Sequence, residues 1–161
     1  MQINLEKINL NNLAHQESFN ELMQDKDING ISALRRLHLS YFIKIDDNVI
    51  GLIGLDGFMG GLAINYGILN EFRGQKHALN ASKILIENLF DENIAGVYGI
   101  IQWDSSSEEK TKSNRASRKI LVDLGFIDYT DYDYQEGNMI IYYKHNPNYN
   151  KTWTSTRFLQ K

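Results

Sequence analysis

The chain has 161 residues, no cysteine and a formal net charge of −3. The absence of cysteine excludes a disulfide framework, a thiolate metal site and a cysteine nucleophile, and it fits a reducing cytoplasm. The negative charge argues against a protein that binds a nucleic-acid duplex through many phosphate contacts. With 42% hydrophobic residues the chain can bury its own core, so we expect one domain over residues 1–145 and a polar tail over residues 146–161.

The amino-terminal third is predicted to contain one strand and two helices. It has neither a basic start nor an apolar run, so we expect no signal peptide, and no later stretch is apolar enough to cross a bilayer. The strand lies within Met1 to Ile8. Asn11 or Asn12 is a candidate N-cap for a helix that ends near Met23, and a shorter helix is predicted over Ile31 to Leu37.

The middle of the chain is rich in β-branched residues. Ser40 to Ile45 and Val49 to Leu55 are predicted strands of one hairpin, because Asp46 to Asn48 between them is typical of a tight turn. Gly57 to Gly61 is predicted to be a flexible turn. Leu62 to Leu69 is the next predicted strand.

Two helices and a buried strand are predicted after this point. Ala78 to Phe90 has helical spacing of apolar residues, and Val97 to Trp103 has the apolar character of a buried strand. The polar run Ser105 to Ser113 is predicted to be a loop. Asn114 to Leu124 is predicted to be a helix that ends at Gly125, a residue suited to a left-handed cap.

The last predicted helix turns Ala116, Ile120 and Leu124 inward, and a hairpin follows it. Phe126 to Tyr134 and Met139 to Lys144 are the two strands of that hairpin. This order of elements predicts an α+β fold with a mixed sheet.

The segment Arg73 to Ala78 has the composition of a phosphate-binding turn between a strand and a helix. A helix start offers unpaired N–H groups, and Gly74 permits a tight turn. Ala78 is small enough for a phosphate to approach, while Arg73, Lys76 and His77 add donors and positive charge. The same segment is also typical of an ordinary strand-to-helix connection with surface charges.

A second candidate segment begins at Asn114. Its side chain is placed either to cap the following helix or to hydrogen bond an amide-containing arm of a ligand. Ser117, one turn later, is either solvated or close to a leaving sulfur. The residues alone leave both alternatives open.

Together the two segments resemble the GCN5-related N-acetyltransferase (GNAT) superfamily, and most closely its ribosomal-protein N-terminal acetyltransferase branch. Tyr66 to Ala78 is similar to the branch pattern Y-x-I-L-P-E-Y-R-G-x-G-Y-A, and Asn114 to Phe126 is similar to N-x-x-S followed by K-L-G-F. The resemblance covers Tyr41 to Lys144. Lys76 departs from it, because the family usually has glycine there.

The resemblance implies a mostly antiparallel sheet whose two central parallel strands, here Leu62 to Leu69 and Val97 to Trp103, diverge to admit acetyl-CoA. It implies transfer of the acetyl group directly to an amine, with an oxyanion site at the N–H of Ile68 or Leu69. It implies no metal. The residues it implies for binding the coenzyme are Ile68, Leu69, Arg73, Gly74, Gln75, Lys76, His77, Ala78 and Asn114.

Acetyl transfer requires a neutral amine and benefits from a proton donor to the thiolate. No acidic residue occupies Ala63 to Asn65, where many relatives carry a glutamate base, and Leu121 stands where many carry a tyrosine acid. Ser117 is therefore the predicted proton donor. Asp56, Asp104 or a backbone-held water is the candidate base.

The acceptor is predicted to be a primary amine on a protein N-terminus, a polyamine or an amino sugar. Because the usual base and acid are missing, an acyl-CoA-binding module with little transferase activity is the alternative function. A plain α+β interaction domain that binds no phosphate is a third. We expect neither a nucleic-acid nor a membrane partner, and the sequence leaves open whether the chain forms a homodimer.

Overall fold

A computed structural model describes residues 2–102, 106–129 and 139–151 of the chain. Seven strands and four α-helices lie within these residues, and two 3₁₀ segments, Ser32–Leu39 and Asn70–Phe72, connect some of them. The strands are β1 (Ile3–Lys7), β2 (Ser40–Ile45), β3 (Asn48–Phe58), β4 (Gly61–Ile68), β5 (Gly96–Gln102), β6 (Ile127–Asp128) and β7 (Met139–His145). The helices are α1 (Leu13–Leu22), α2 (Lys26–Asn29), α3 (His77–Asp91) and α4 (Glu108–Asp123).

All seven strands form one sheet in the order β1-β2-β3-β4-β5-β7-β6. Every neighbouring pair is antiparallel except β4 and β5, which are parallel. The parallel pair follows from the chain path, because α3 carries the backbone from the end of β4 back to the start of β5. The predicted α+β fold with a mixed, mostly antiparallel sheet is confirmed.

Helices cover both faces of the sheet, so each face has its own apolar core. The larger core lies between the sheet and α3, where Leu85 and Leu89 are almost completely buried. The smaller core lies on the opposite face, where Leu22 of α1 and Ile28 of α2 pack with Phe42. The strands are apolar toward both faces because neither face is left to solvent.

The contact between Gly99 and Leu121 sets the height of α4 above β5. A Cβ atom placed on Gly99 would lie 2.5 Å from Leu121 Cδ2, so only glycine allows the leucine to approach the strand this closely. Leu121 is 4% exposed. The helix is therefore held against the sheet at the place where β4 and β5 are parallel.

Helix α4 differs most from the sequence prediction. The segment predicted as a loop, Ser105 to Ser113, is largely helical, because α4 begins at Glu108 and not at Asn114. Ser107 caps it by accepting a hydrogen bond from the Lys110 N–H at 3.1 Å. The two glutamates in its first turn stabilise this early start through the helix dipole.

The buried face of α4 is also shifted from the prediction. Leu121 is buried, whereas Ala116, which was predicted to point inward, is exposed, and Ile120 is only half-buried. Gly125 has a φ of +83° and closes the helix as predicted.

Two other predictions near the amino terminus need smaller corrections. The short helix predicted over Ile31 to Leu37 is a 3₁₀ segment, and the separate helix α2, which was not predicted, precedes it. Strand β3 extends to Phe58, within the turn predicted at Gly57 to Gly61, and the reversal occurs at Met59 and Gly60, which both have positive φ. The Asn12 cap of α1 is confirmed.

Several predictions lie outside the described residues. They concern Trp103, Asp104, most of the first strand of the final hairpin and its loop, and the tail beyond Lys151. Within the described part of the chain, no helix is both long enough and apolar enough to cross a membrane.

We expect Gly99→Ala to lower the free energy of unfolding by about 1–3 kcal/mol, because the added methyl group overlaps Leu121. Urea denaturation measures the loss. In a Leu121→Ala background the same change should cost much less, since the clashing atoms are gone. Gly30→Ala is the control, because a Cβ at that position would lie 3.6 Å from the Lys26 carbonyl oxygen, which is an ordinary van der Waals contact. Equal losses in both backgrounds would contradict the proposed contact.

Candidate acetyl-coenzyme A site

The defining feature of the site is an opening between β4 and β5. The two strands pair only through Ala63 with Tyr98 and Ile64 with Gly99, although β4 continues to Ile68. On its other side, β4 stays paired with β3, and the Leu69 N–H donates to the Ile50 carbonyl oxygen at 2.9 Å.

This register determines which main-chain groups of β4 face the opening. Backbone groups of alternate residues point to opposite sides of a strand, so those of Tyr66 and Ile68 point away from β3. The Ile68 N–H therefore faces the opening. The Leu69 N–H, the other candidate for the oxyanion site, is already used by Ile50.

A left-handed turn leads from β4 into α3. Gly74 has a φ of +75° and Lys76 a φ of +64°. Nothing lies within 4 Å of the position that a Gly74 Cβ would occupy. The structure therefore shows open space beside the turn at the residue that the sequence predicted to bind phosphate.

Helix α3 begins without a capping side chain, unlike the other three α-helices of the described residues. Asn12, Asp25 and Ser107 cap the others. The first hydrogen bond of α3 runs from the Asn80 N–H to the Lys76 carbonyl oxygen, so the N–H groups of residues 77–79 have no partner within the helix. These donors and the positive end of the helix dipole form the part of the site suited to an anion.

Arg73 has a different environment from the one that the sequence suggested. Its Nε donates to the Ile68 carbonyl oxygen at 2.8 Å, and its two Nη atoms lie 3.3 Å from Asp25 Oδ2 and 3.2 Å from Asp27 Oδ2. Its charge is therefore largely balanced by carboxylates of α2 and its cap. Arg73 ties the turn to the opposite face of the sheet.

The remaining polar side chains of the turn are a glutamine, a lysine and a histidine. Gln75 Nε2 donates to the Glu71 carbonyl oxygen at 3.3 Å, and Gln75 Oε1 lies 3.3 Å from His77 Nε2. The His77 ring is buried, and its Nδ1 has no hydrogen-bond partner in the described structure. Lys76 is exposed, and no described carboxylate pairs with it, so it contributes positive charge to the turn.

The other half of the site lies on α4. Asn114, Ser117 and Leu121 are spaced by three and four residues, so they share the helix face that packs against the sheet. Leu121 is the residue that sits on Gly99. The first two are half-buried above it, toward the opening.

Burial raises the pKa of the Tyr66 phenol above its usual value, and the Ser117 side chain acts in the opposite direction. Tyr66 is the first residue of the sequence motif that ends at Ala78, and no role was predicted for its side chain. Period-two alternation places it on the face of β4 shared with Ile64 and Ile68, which is the face that α3 and α4 cover.

The candidate base Asp56 lies on the opposite face of the sheet. It is the register partner of Ala63, which is in turn the partner of Tyr98, so the three residues form one row across the sheet. Asp56 Oδ1 accepts from Arg36 Nε at 3.1 Å, and Oδ2 lies 3.9 Å from Arg35 Nη1. The carboxylate is therefore in an ion pair at the apex of the opening.

The structure brings most of the predicted site residues together around one opening. Ile68 ends β4, Leu69 and the turn from Arg73 to Ala78 follow it, and Asn114 and Ser117 lie half-buried on the face of α4 that carries Leu121. In residues 2–102, 106–129 and 139–151, no three His, Asp or Glu side chains converge on a position that would hold a metal ion.

Comparison with known proteins gives a family and a fold. A family model described as an acetyltransferase (GNAT) domain matches residues 10–127. No curated protein matches the chain significantly.

Three solved structures illustrate the shared fold. A GNAT-family acetyltransferase from Bacillus anthracis superposes with a TM-score of 0.65 at 11% identity, over 91% of this chain and 96% of its own. RimL, a ribosomal L7/L12 α-N-protein acetyltransferase, superposes with a TM-score of 0.63 at 14% identity, over 90% of this chain and 94% of its own. The microcin C7 self-immunity acetyltransferase MccE was solved with acetyl-CoA and AMP. It superposes with a TM-score of 0.63 at 17% identity, over 89% of this chain and 92% of its own.

We expect Lys76→Gly to raise the free energy of unfolding by roughly 0.5–1 kcal/mol, because glycine adopts positive φ without the steric cost that lysine bears. Gly74→Ala should instead lower it by about 1 kcal/mol, although its methyl group would enter open space. Chemical denaturation of both variants measures the two changes. A stability loss in Lys76→Gly would contradict the left-handed conformation of this residue.

Proposed function

The chain belongs to the GNAT acetyltransferase family, and we propose that it transfers the acetyl group of acetyl-CoA directly to a primary amine. The observation that carries this proposal is the uncapped start of α3 beside the unpaired edge of β4. The two features provide complementary kinds of recognition. Free N–H groups at a helix start bind phosphate, and an unpaired strand edge binds an extended amide-containing arm.

The residues present fit such a ligand. The turn at Gly74 has open space beside it, and Lys76 adds a positive charge that many relatives lack. The diphosphate would lie against the N–H groups of residues 77–79, and the arm would run along β4 past Ile68. Asn114, on the α4 face toward the opening, is the proposed partner of an amide in that arm.

The chain's own groups account for the polarisation of the thioester. The Ile68 N–H faces the opening, so it is the proposed donor to the carbonyl oxygen as negative charge develops there. A fixed backbone donor needs no reorganisation during the reaction. Arg73 Nε donates to the carbonyl oxygen of the same residue, Ile68, at 2.8 Å and so keeps the end of the strand in place.

The amine must be neutral to attack, which favours some acceptors over others. An α-amino group has a reference pKa of about 7.7–8.0, whereas a lysine amine has one of about 10.4. Asp56 is already ion-paired with Arg36 and is therefore not a free base. We accordingly expect an α-amine, such as a protein N-terminus, to be a better acceptor near neutral pH than an alkyl amine.

The direct test is release of free coenzyme A thiol from acetyl-CoA with a panel of peptides with free N-termini, a polyamine and an amino sugar, with mass spectrometry of each acceptor. Acetylation of any amine in the panel supports the proposed activity. Binding of acetyl-CoA by calorimetry without turnover would instead favour an acyl-CoA-binding module. That alternative is motivated by Leu121, which replaces the hydroxyl that many relatives carry.

We expect Gly74→Trp to abolish acetyl-CoA binding while the protein stays folded, because the indole would occupy the open space beside the turn. Isothermal titration calorimetry measures the affinity, and circular dichroism checks the fold. Gly60→Trp is a closely matched control. Gly60 also has a positive φ, +76°, and open surroundings, but it lies at the other end of β4.

Gly60→Trp should bind acetyl-CoA like the wild type. It introduces the same kind of backbone strain, but at the opposite end of β4 from the turn that contains Gly74. Unchanged affinity in folded Gly74→Trp would refute the placement of the coenzyme. Equal loss in both variants would show that backbone strain, and not occlusion, is responsible.

A further inference from the structure

The guanidinium group of Arg73 lies at the end of the unpaired edge of β4. The Leu69 N–H donates to the Ile50 carbonyl oxygen on the β3 side. In this register the N–H and the C=O of Ile68, one residue earlier, both point away from β3 and toward the opening. Arg73 Nε donates to that carbonyl oxygen at 2.8 Å. The arginine therefore occupies the carbonyl group of Ile68 and leaves the N–H group to a ligand.

The outer nitrogen atoms of the same guanidinium group are held by carboxylates of α2 and its cap. Nη2 lies 3.3 Å from Asp25 Oδ2, and Nη1 lies 3.2 Å from Asp27 Oδ2. Asp25 is fixed in turn, because its Oδ1 accepts from the N–H groups of Asp27 and Ile28. Its side chain is only 15% exposed, so water and salt screen this pair incompletely. The position of Arg73 therefore depends on α2.

Helix α2 is itself seated directly on β4. A Cβ atom on Gly67 would lie 2.8 Å from Ile28 Cγ1, so a larger residue would push the isoleucine off the strand. Ile28 is completely buried. Gly67 immediately precedes Ile68 in the chain. The end of β4 is therefore held from two directions, by α2 packing on the glycine and by Arg73 on the next carbonyl group.

This support acts on the two peptide groups that meet at the Ile68 Cα atom. Packing of Ile28 on Gly67 restrains the group that carries the Ile68 N–H, and Arg73 restrains the group that carries the Ile68 carbonyl. A backbone donor stabilises developing charge because it already points at the oxygen and need not reorient. Misplacement by about 1 Å can cost about 10²-fold in rate. The contacts of Arg73 therefore bear on the chemical step.

We propose that Arg73 is a positioning residue for the oxyanion donor, the Ile68 N–H, and that it does not bind a phosphate group of the coenzyme. This assignment rests on the proposed acetyl transfer and replaces the coenzyme-binding role predicted for Arg73. The arginine holds the Ile68 carbonyl group, and Asp25 and Asp27 hold the arginine and balance its charge. The diphosphate is left to the N–H groups of residues 77–79 and to the rest of the turn.

The test compares kcat with coenzyme affinity in Arg73→Ala. With the best amine of the panel, kcat should fall by about 10–10²-fold, which is part of the 10²–10³-fold that loss of a whole oxyanion donor costs. The calorimetric dissociation constant of acetyl-CoA should stay within about threefold of the wild-type value, because the lost contacts are not with the coenzyme. Lys76→Ala should instead weaken acetyl-CoA binding, since its charge lies at the turn.

Lys119→Ala is the control for loss of a basic residue from an ion pair. Lys119 Nζ lies 2.8 Å from Asp123 Oδ2 on the surface of α4, and its side chain is 74% exposed. This variant should keep wild-type kcat and affinity, because exposed pairs contribute little. Urea denaturation checks that each variant is folded under the assay conditions.

A second variant separates positioning from folding. Asp25→Asn removes the charge that faces Arg73 but keeps the cap of α2, since asparagine caps a helix about as well as aspartate. It should lower kcat by a smaller factor than Arg73→Ala and leave the affinity for acetyl-CoA within the same range. In the double variant, kcat should equal that of Arg73→Ala alone, because Asp25 acts through the arginine.

The outcomes distinguish this assignment from the proposed function. A wild-type protein that transfers no acetyl group overturns the proposed function and the assignment with it. In an active wild type, an unchanged kcat in Arg73→Ala or in Asp25→Asn overturns the assignment alone. Binding of acetyl-CoA that is weaker by about tenfold or more in Arg73→Ala would identify a phosphate ligand and overturn it as well. An equal effect of Asp25→Asn with and without Arg73 would overturn it by showing a separate structural role.

Discussion

The early end of the hydrogen-bonded ladder between β4 and β5 is the constraint on which the candidate site depends. Only two residue pairs join these strands, although both continue beyond them. A strand edge that is left unpaired inside a sheet costs free energy unless its N–H and C=O groups find other partners. Arg73 supplies one such partner for the Ile68 carbonyl group. The remaining groups face an opening that an extended ligand can fill by pairing as a strand would.

The start of α3 also has backbone N–H groups without partners in the helix. Three helices satisfy their first N–H groups with Asn, Asp or Ser side chains, whereas α3 follows a turn with two residues at positive φ and lacks a cap. Lys76 bears the conformational cost of this turn, since a glycine would adopt its positive φ more easily. The uncapped start is therefore a feature that stability alone does not explain. It is consistent with a helix whose first donors bind an anionic ligand.

Within the described residues, the two positive charges of the turn, on Arg73 and Lys76, differ in whether a carboxylate pairs with them. Arg73 is balanced by Asp25 and Asp27, so its main effect is to join the turn to α2 on the far side of the sheet. Lys76 lacks such a partner and keeps its charge at the turn. Arginine suits the first task because its fork of donors can bind a carbonyl oxygen and two carboxylates at once. This arrangement links the face that carries α2 with the turn from Arg73 to Ala78.

Much of the fold could be predicted because its elements depend on local sequence patterns. The β-branched runs, the helical spacing after Ala78, the Asn12 cap and the left-handed Gly125 each depend on residues close together in the chain. The start of α4 was predicted wrongly for an identifiable reason. The polar run before Asn114 was taken for a loop, although Ser107 followed by two glutamates is a helix-start signal. Its polarity reflects a solvent-exposed first turn, not an absence of helix.

By itself, the sequence determined the α+β class, the order of most elements and the two segments that resemble a coenzyme site, because these depend on short-range periodicity and on motifs. Only the tertiary structure decided that Arg73 is paired with Asp25 and Asp27, that the Leu69 N–H donates to Ile50, and that Leu121 packs on Gly99. Each of these contacts joins residues from different elements. Their distances depend on the sheet register and on the seating of α4 against Gly99, which local sequence does not specify.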